Sequence, residues 1–177
     1  MKNQWPALSY KKGKDTYATL HMWTQIVGKI KLAVAPWINH SWHITQHLTP
    51  TGLSTLDMPY KNKNFQIDFD FIDHKLKVAT SEGEFRDFDL YGNSVADFYH
   101  KIFEMLRDLD IDIEIHTTPV EMENPIPFEK DTVNAVTLKA NVVRCISFGA
   151  VSIWQFPDFR DEKHRHIQEA FHIFLTG

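Results

Sequence analysis

Phe65, Ile67, Phe69 and Phe71 stand at every second position, with Gln66, Asp68 and Asp70 between them. No other stretch restricts the fold as much. A period of two puts the apolar set on one face of a strand and the polar set on the other. On a helix the same residues would scatter around the circumference. The pattern runs on through "HKLKVATSEGEFRDFDL", where Asp73-His74 and Ser81-Glu82-Gly83 are turn sequences. Three strands, over 64–72, 74–80 and 84–90, are predicted to form an antiparallel meander.

Helices must cover such a sheet. Leu20, Trp23, Ile26, Val27, Ile30 and Val34 recur at helical spacing. A polar entry from Lys11 to Asp15 precedes them and Pro36 ends the run. Gly28 weakens that helix by up to about 1 kcal/mol relative to alanine, so a close approach is expected there. The second helix lies in "NSVADFYHKIFEMLRDL", where Ser94 and Asp97 form a capping-box variant. Its apolar stripe is Val95, Phe98, Ile102, Met105 and Leu106. "SWHITQHLT" reads as a strand leading to a turn at Pro50-Thr51-Gly52. Ile111, Ile113 and Ile115 alternate with acids and read as a half-buried strand whose charges deter edge pairing. "TTPVEMENPIPFEKDT" reads as extended chain. The expected class is α+β, an antiparallel meander with two main helices packed on one face.

Composition narrows the function classes. A chain of 177 residues can bury a full core. With a net charge of −4 and no Lys/Arg-dense segment, no nucleic-acid partner is expected. No run approaches the ~20 apolar residues of a spanning helix, so no membrane partner is expected either. One cysteine, Cys145, excludes an internal disulfide and fits a cytoplasmic protein.

His21, Gln25 and Lys29 recur every fourth residue and so stack on one helix face, with Gly28 and Leu32 beside them. Such a polar row flanked by small and apolar residues lines a pocket or an internal interface. In the bland version, His21 and Gln25 bond a neighbouring backbone and Lys29 snorkels. Asn39, His40, His43 and His47 form a second group. On a helix, His40, His43 and His47 would share a face and suit a metal; on a strand only His43 and His47 would. The strand reading is favoured, so no metal ligand is assigned, and no cofactor is implied. Asp68, Asp70, Asp73 and His74 form a third group, read as a solvated face more than as an acid–base pair. The candidate pocket is therefore His21, Gln25, Lys29, Asn39, His40 and His43, with a small-molecule ligand as the expected partner. In an enzyme version His21 or His43 is the general base and Lys29 holds an anion. The alternatives are an interaction or structural module without catalysis, and a metal-dependent hydrolase. The residues alone do not decide between enzyme and binder, nor fix the oligomeric state.

"WPALSYKKGKDTYATLHMWTQIVGKIKLAVAPWINHSWHI", "GLST", "FQIDFDFIDHKL", "SVADFY" and "PIPFEKDTVNA" follow one another in order. Together they resemble the bacterial domain-of-unknown-function family 5996, over about Trp5 to Ala135. The resemblance implies no activity, substrate or cofactor, but it places the helix row and the Asn39–His43 turn within the family pattern. It also implies a division into residues 1–135, like the family's first half, and a divergent tail over 136–177. Shifted codons for Cys145–Gly149 can read His-Gln-Phe-Trp, as the family does, so a truncated or frameshifted, poorly packed end is expected. His164, His166 and His172 would then carry no chemistry.

Overall fold

A computed structural model describes residues 10–120, 122 and 124–135. It contains two helices and a six-stranded antiparallel sheet, an α+β fold. Helix α1 runs Tyr10–Val34 and is followed by a 3-10 turn at Asn39–Ile44. The strands are β1 (His47–Leu48), β2 (Gly52–Ser54), β3 (Met58–Tyr60), β4 (Lys63–Asp70), β5 (Lys75–Thr80) and β6 (Phe85–Asp89). Helix α2 spans Val95–Arg107, and a short 3-10 turn occupies Phe128–Lys130. Strand order is β1-β2-β4-β5-β6, with β3 also pairing β4. The tail beyond Ala135, with Cys145, His164, His166 and His172, lies outside the described residues, so the division at 136 does too.

The predicted meander forms β4, β5 and β6, in register Ile67↔Val78 and Leu76↔Phe88. Phe65, Ile67, Phe69 and Phe71 are buried, as the period of two requires. Asp70 closes the β4–β5 turn: its Oδ1 accepts the N–H groups of Ile72 and Asp73, and its Oδ2 takes Lys77 Nζ at 2.7 Å. Gly52 is obligatory in β2, since a Cβ there would lie 1.9 Å from the carbonyl oxygen of Phe69. Helix α2 begins with the expected capping box between Ser94 and Asp97. Its Phe98 ties the layers together. The ring stacks on Trp23 of α1 at 4.8 Å and on Phe69 of β4 at 5.9 Å, while Phe88 of β6 makes a T-shaped contact with it at 5.6 Å.

Three expectations need correction. The polar entry at Lys11–Asp15 is already helical, since α1 begins at Tyr10. "SWHI" is not a strand: a 3-10 turn carries it, bent at Ser41 with φ 60°, and of "SWHITQHLT" only His47–Leu48 pairs in the sheet. Ile111–Thr117 keeps the alternating burial of a strand but pairs in no ladder. The last two share a cause, because local pattern reports burial while a ladder also needs a neighbouring edge.

Candidate functional site

Helix α1 turns different faces to different parts of the molecule. Leu20, Met22, Trp23, Ile26, Val27 and Ile30 fill the core. Thr24 and Lys31 share a second face. The Thr24 carbonyl accepts Gln46 Nε2, and the buried Lys31 Nζ donates to the carbonyls of Thr45 at 2.8 Å and Thr55 at 2.6 Å. This ammonium therefore bolts α1 to the start of the sheet. Burial holds its pKa below the ordinary lysine value; burial also lowers the pKa of His47, and the positive charge of Lys31 lowers it further.

His21, Gln25 and Lys29 occupy a third face, and the chain that returns after α2 lies across it. Residues 111–120 form a strap in which odd positions are the more buried and even positions the more exposed, with Thr118 half-buried. Side chains hold it by its backbone. Lys63 Nζ donates to the Leu109 carbonyl just ahead of it at 2.6 Å. Tyr60 Oη both donates to the Asp112 carbonyl and accepts the Asp112 N–H, each at 2.9 Å. Lys29 Nζ donates to the Thr118 carbonyl at 2.8 Å. Gln25 makes a reciprocal pair with Val120: its Nε2 donates to the Val120 carbonyl at 3.1 Å, and its Oε1 accepts the Val120 N–H at 3.0 Å.

The pair with Val120 fixes the orientation of the Gln25 amide. Nε2, the donor end, therefore faces His21 Nε2 at 3.2 Å. The imidazole must present a lone pair there, which puts the proton of a neutral ring on Nδ1. Desolvation lowers the pKa of Lys29, and the face of Phe128 lies 5.6 Å from its nitrogen. Among the described residues Gly28 does not mediate the close approach expected of it, since beyond its own helix backbone and chain neighbours nothing described lies within 4 Å of where its Cβ would be.

His43 is engaged apart from this row. Its Nδ1 accepts the Ile38 N–H at 3.2 Å, and its buried ring lies tilted against Trp37 with centroids 5.2 Å apart. Asn39 and His40 share its turn, but their side chains lie outside the described ones. The structure thus brings Gln25 and Lys29 onto one strap, with His21 beside Gln25, while the His43 contacts belong to the turn after α1. In the acidic group, Asp70 and Asp73 share Lys77, and Asp68 takes the Gln66 amide. No group of three or more His, Cys, Asp or Glu among the described residues could hold a metal ion. No helix among them is long and apolar enough to cross a membrane.

Sequence reasoning missed Lys31, Tyr60 and Lys63 as anchors, and the backbone of Thr118 and Val120 as the counterpart of Lys29 and Gln25. Nothing in a side-chain pattern marks a carbonyl as a partner. Buried lysines in a helix that is otherwise apolar were the available clue.

The chain belongs to a family of unknown function, DUF5996, whose model matches residues 5–161. The match reaches past Ala135, where the motif resemblance ends. No curated protein and no solved structure matches it.

Proposed function

We propose that this member of an uncharacterised family is an interaction module, and that the His21/Gln25/Lys29 row of α1 recognises polypeptide backbone in an extended conformation. One observation carries the reading: Gln25 satisfies both the N–H and the carbonyl of Val120, as a neighbouring strand would. Lys29 adds a charge-assisted bond two residues earlier. Gln25 and Lys29, which a catalytic pocket would offer to substrate, are here spent on main chain. Gln25→Ala and Lys29→Ala are expected to speed proteolytic cleavage within residues 116–126. Unchanged cleavage in both variants would remove the docking role.

A second reading, a small-molecule site at the same row, draws support from the space that the described residues leave beside Gly28. Asn39, His40 and His43 would complete it from the neighbouring turn, with His21 or His43 as general base in an enzyme version. Gly28→Leu separates the two readings. It should abolish binding of a ligand seated in that space, and should leave the strap contacts intact.

A further inference from the structure

We propose that His21 is a proton-sensitive latch on the Val120 end of the strap: protonation of its ring opens the Gln25–Val120 pair and leaves the rest of the strap in place. This rests on the docking reading and adds a regulation to it. Three groups share one amide. Gln25 Nε2 donates to the Val120 carbonyl and also faces His21 Nε2 at 3.2 Å, while Gln25 Oε1 accepts the Val120 N–H. Only one orientation of the amide satisfies both Val120 groups. That orientation needs a lone pair on His21 Nε2, and so needs the neutral ring.

An imidazolium has two donors and no lone pair. Its Nε2–H would oppose the Gln25 amide nitrogen. Turning the amide over would give that N–H an acceptor. It would also set oxygen against the Val120 carbonyl and nitrogen against the Val120 N–H, so two bonds would be lost for the one gained. A protonated His21 and the intact pair therefore exclude each other. Gln25 is 5% exposed, which leaves little water to relieve the mismatch, whereas His21 is half-buried and open to protons from solvent.

The opening is local. Val120 is exposed, and its N–H and carbonyl can turn to water. Just before it Pro119 is buried, Lys29 keeps the Thr118 carbonyl, and the Phe128 N–H keeps that of Thr117. Other charges lie on the elements that meet this face. Lys29 stands about two turns along α1. Glu114 and His116 are exposed on the strap, and Glu129 of the second 3-10 turn has a buried Oε2 without a partner. Glu121 and Glu123 flank Met122, with side chains outside the described ones. None of these charges restores a lone pair to Nε2, so they set the pH of opening and not its direction. Opening takes up a proton. The pair is thus intact above the pH at which His21 titrates and is lost as pH falls through it.

Nitrogen NMR on the full chain tests the tautomer. At pH 8 the His21 ring should carry its proton on Nδ1; a proton on Nε2 would overturn the proposal. Amide hydrogen exchange tests the latch. After correction for the intrinsic pH dependence of exchange, Val120 protection should fall at least about five-fold from pH 8 to pH 5, a range that spans the ordinary histidine value of about 6.5. His21→Gln keeps an acceptor opposite Gln25 but does not titrate, so its Val120 protection should stay level. His116→Gln should retain the full fall. A level course in the unchanged chain, an equal fall in His21→Gln, or loss of the fall in His116→Gln would overturn the proposal. Each of these results leaves the docking reading standing, because that reading is decided by cleavage of Gln25→Ala and Lys29→Ala at pH 8, where the latch is closed.

Discussion

Strand β4 and the strap alternate alike in sequence, yet they are held in different ways. Residues 65–71 bury every second residue; residues 111–117 alternate too, but only Ile111 is buried, and Ile113, Ile115 and Thr117 are half-buried in alternation with exposed Asp112, Glu114 and His116. Strand β4 finds backbone on either side, and its N–H and carbonyl groups enter ladders with β2, β3 and β5. The strap finds a backbone partner in the Phe128 N–H, on the Thr117 carbonyl at 2.9 Å, and otherwise chiefly Tyr60, Lys29 and Gln25, so side chains largely take the place of a missing strand. A ladder is cooperative and buried, whereas each side-chain clamp costs rotamer entropy and can be lost singly. The first arrangement gives rigidity and the second gives separable contacts.

The largest test of this contrast is Phe98→Ala. Removing the ring that joins Trp23, Phe69 and Phe88 should cost about 3–5 kcal/mol of global stability, measured by urea unfolding. Sheet and strap should then melt together. Separate transitions would mean that the strap does not depend on the core.

Asp70→Asn comes next. It weakens a turn that serves two N–H groups and Lys77, at a cost of about 1.5–3 kcal/mol. Burial alone would raise the Asp70 pKa, but the Asp73 N–H, Lys77 and the Ile72 N–H bring it below the ordinary value. An aspartate depressed in the folded state contributes fully above its unfolded value of about 4. That contribution fades as pH falls through the lower folded value. Stability of the unchanged chain should therefore drop on acidification through this range, and the drop should be shallower in Asp70→Asn. Identical acid limbs would assign the effect to other carboxylates.

Gln25→Ala should cost only about 1 kcal/mol, because the exposed Val120 groups can turn to water. The loss should appear in strap protection and leave the ladder amides of β4 and β5 unmoved. A global loss of the Phe98→Ala size would erase the distinction between the two regions. Smallest is Gly28→Ala, a gain of up to about 1 kcal/mol, since nothing among the described residues meets the added methyl. A loss in its thermal unfolding midpoint would reveal a neighbour at that face.

These contrasts also explain what was legible beforehand. The meander, the capping box of α2 and the core stripe of α1 are written in side-chain periodicity, and local physics suffices to read them. The row at His21, Gln25 and Lys29 was visible as an anomaly, and docking against backbone was one of its stated readings. Its counterpart was not visible, since Thr118 and Val120 contribute atoms that every residue possesses. The 3-10 turn at Asn39–Ile44 was hidden for another reason. Its β-branched and aromatic residues favour a strand, and the Ser41 conformation and the His43 bond to Ile38 override that preference.

The backbone pairing of Gln25 has a consequence for how such a contact drifts over generations. A clamp that reads only main-chain atoms leaves its target free to mutate. Position 120 should tolerate nearly any residue except proline, which lacks the required N–H. The demand falls wholly on the helix, where only a side chain with both a donor and an acceptor end can replace Gln25. Variation across relatives should therefore be lopsided: permissive at Val120, narrow at Gln25, and without matched changes between the two.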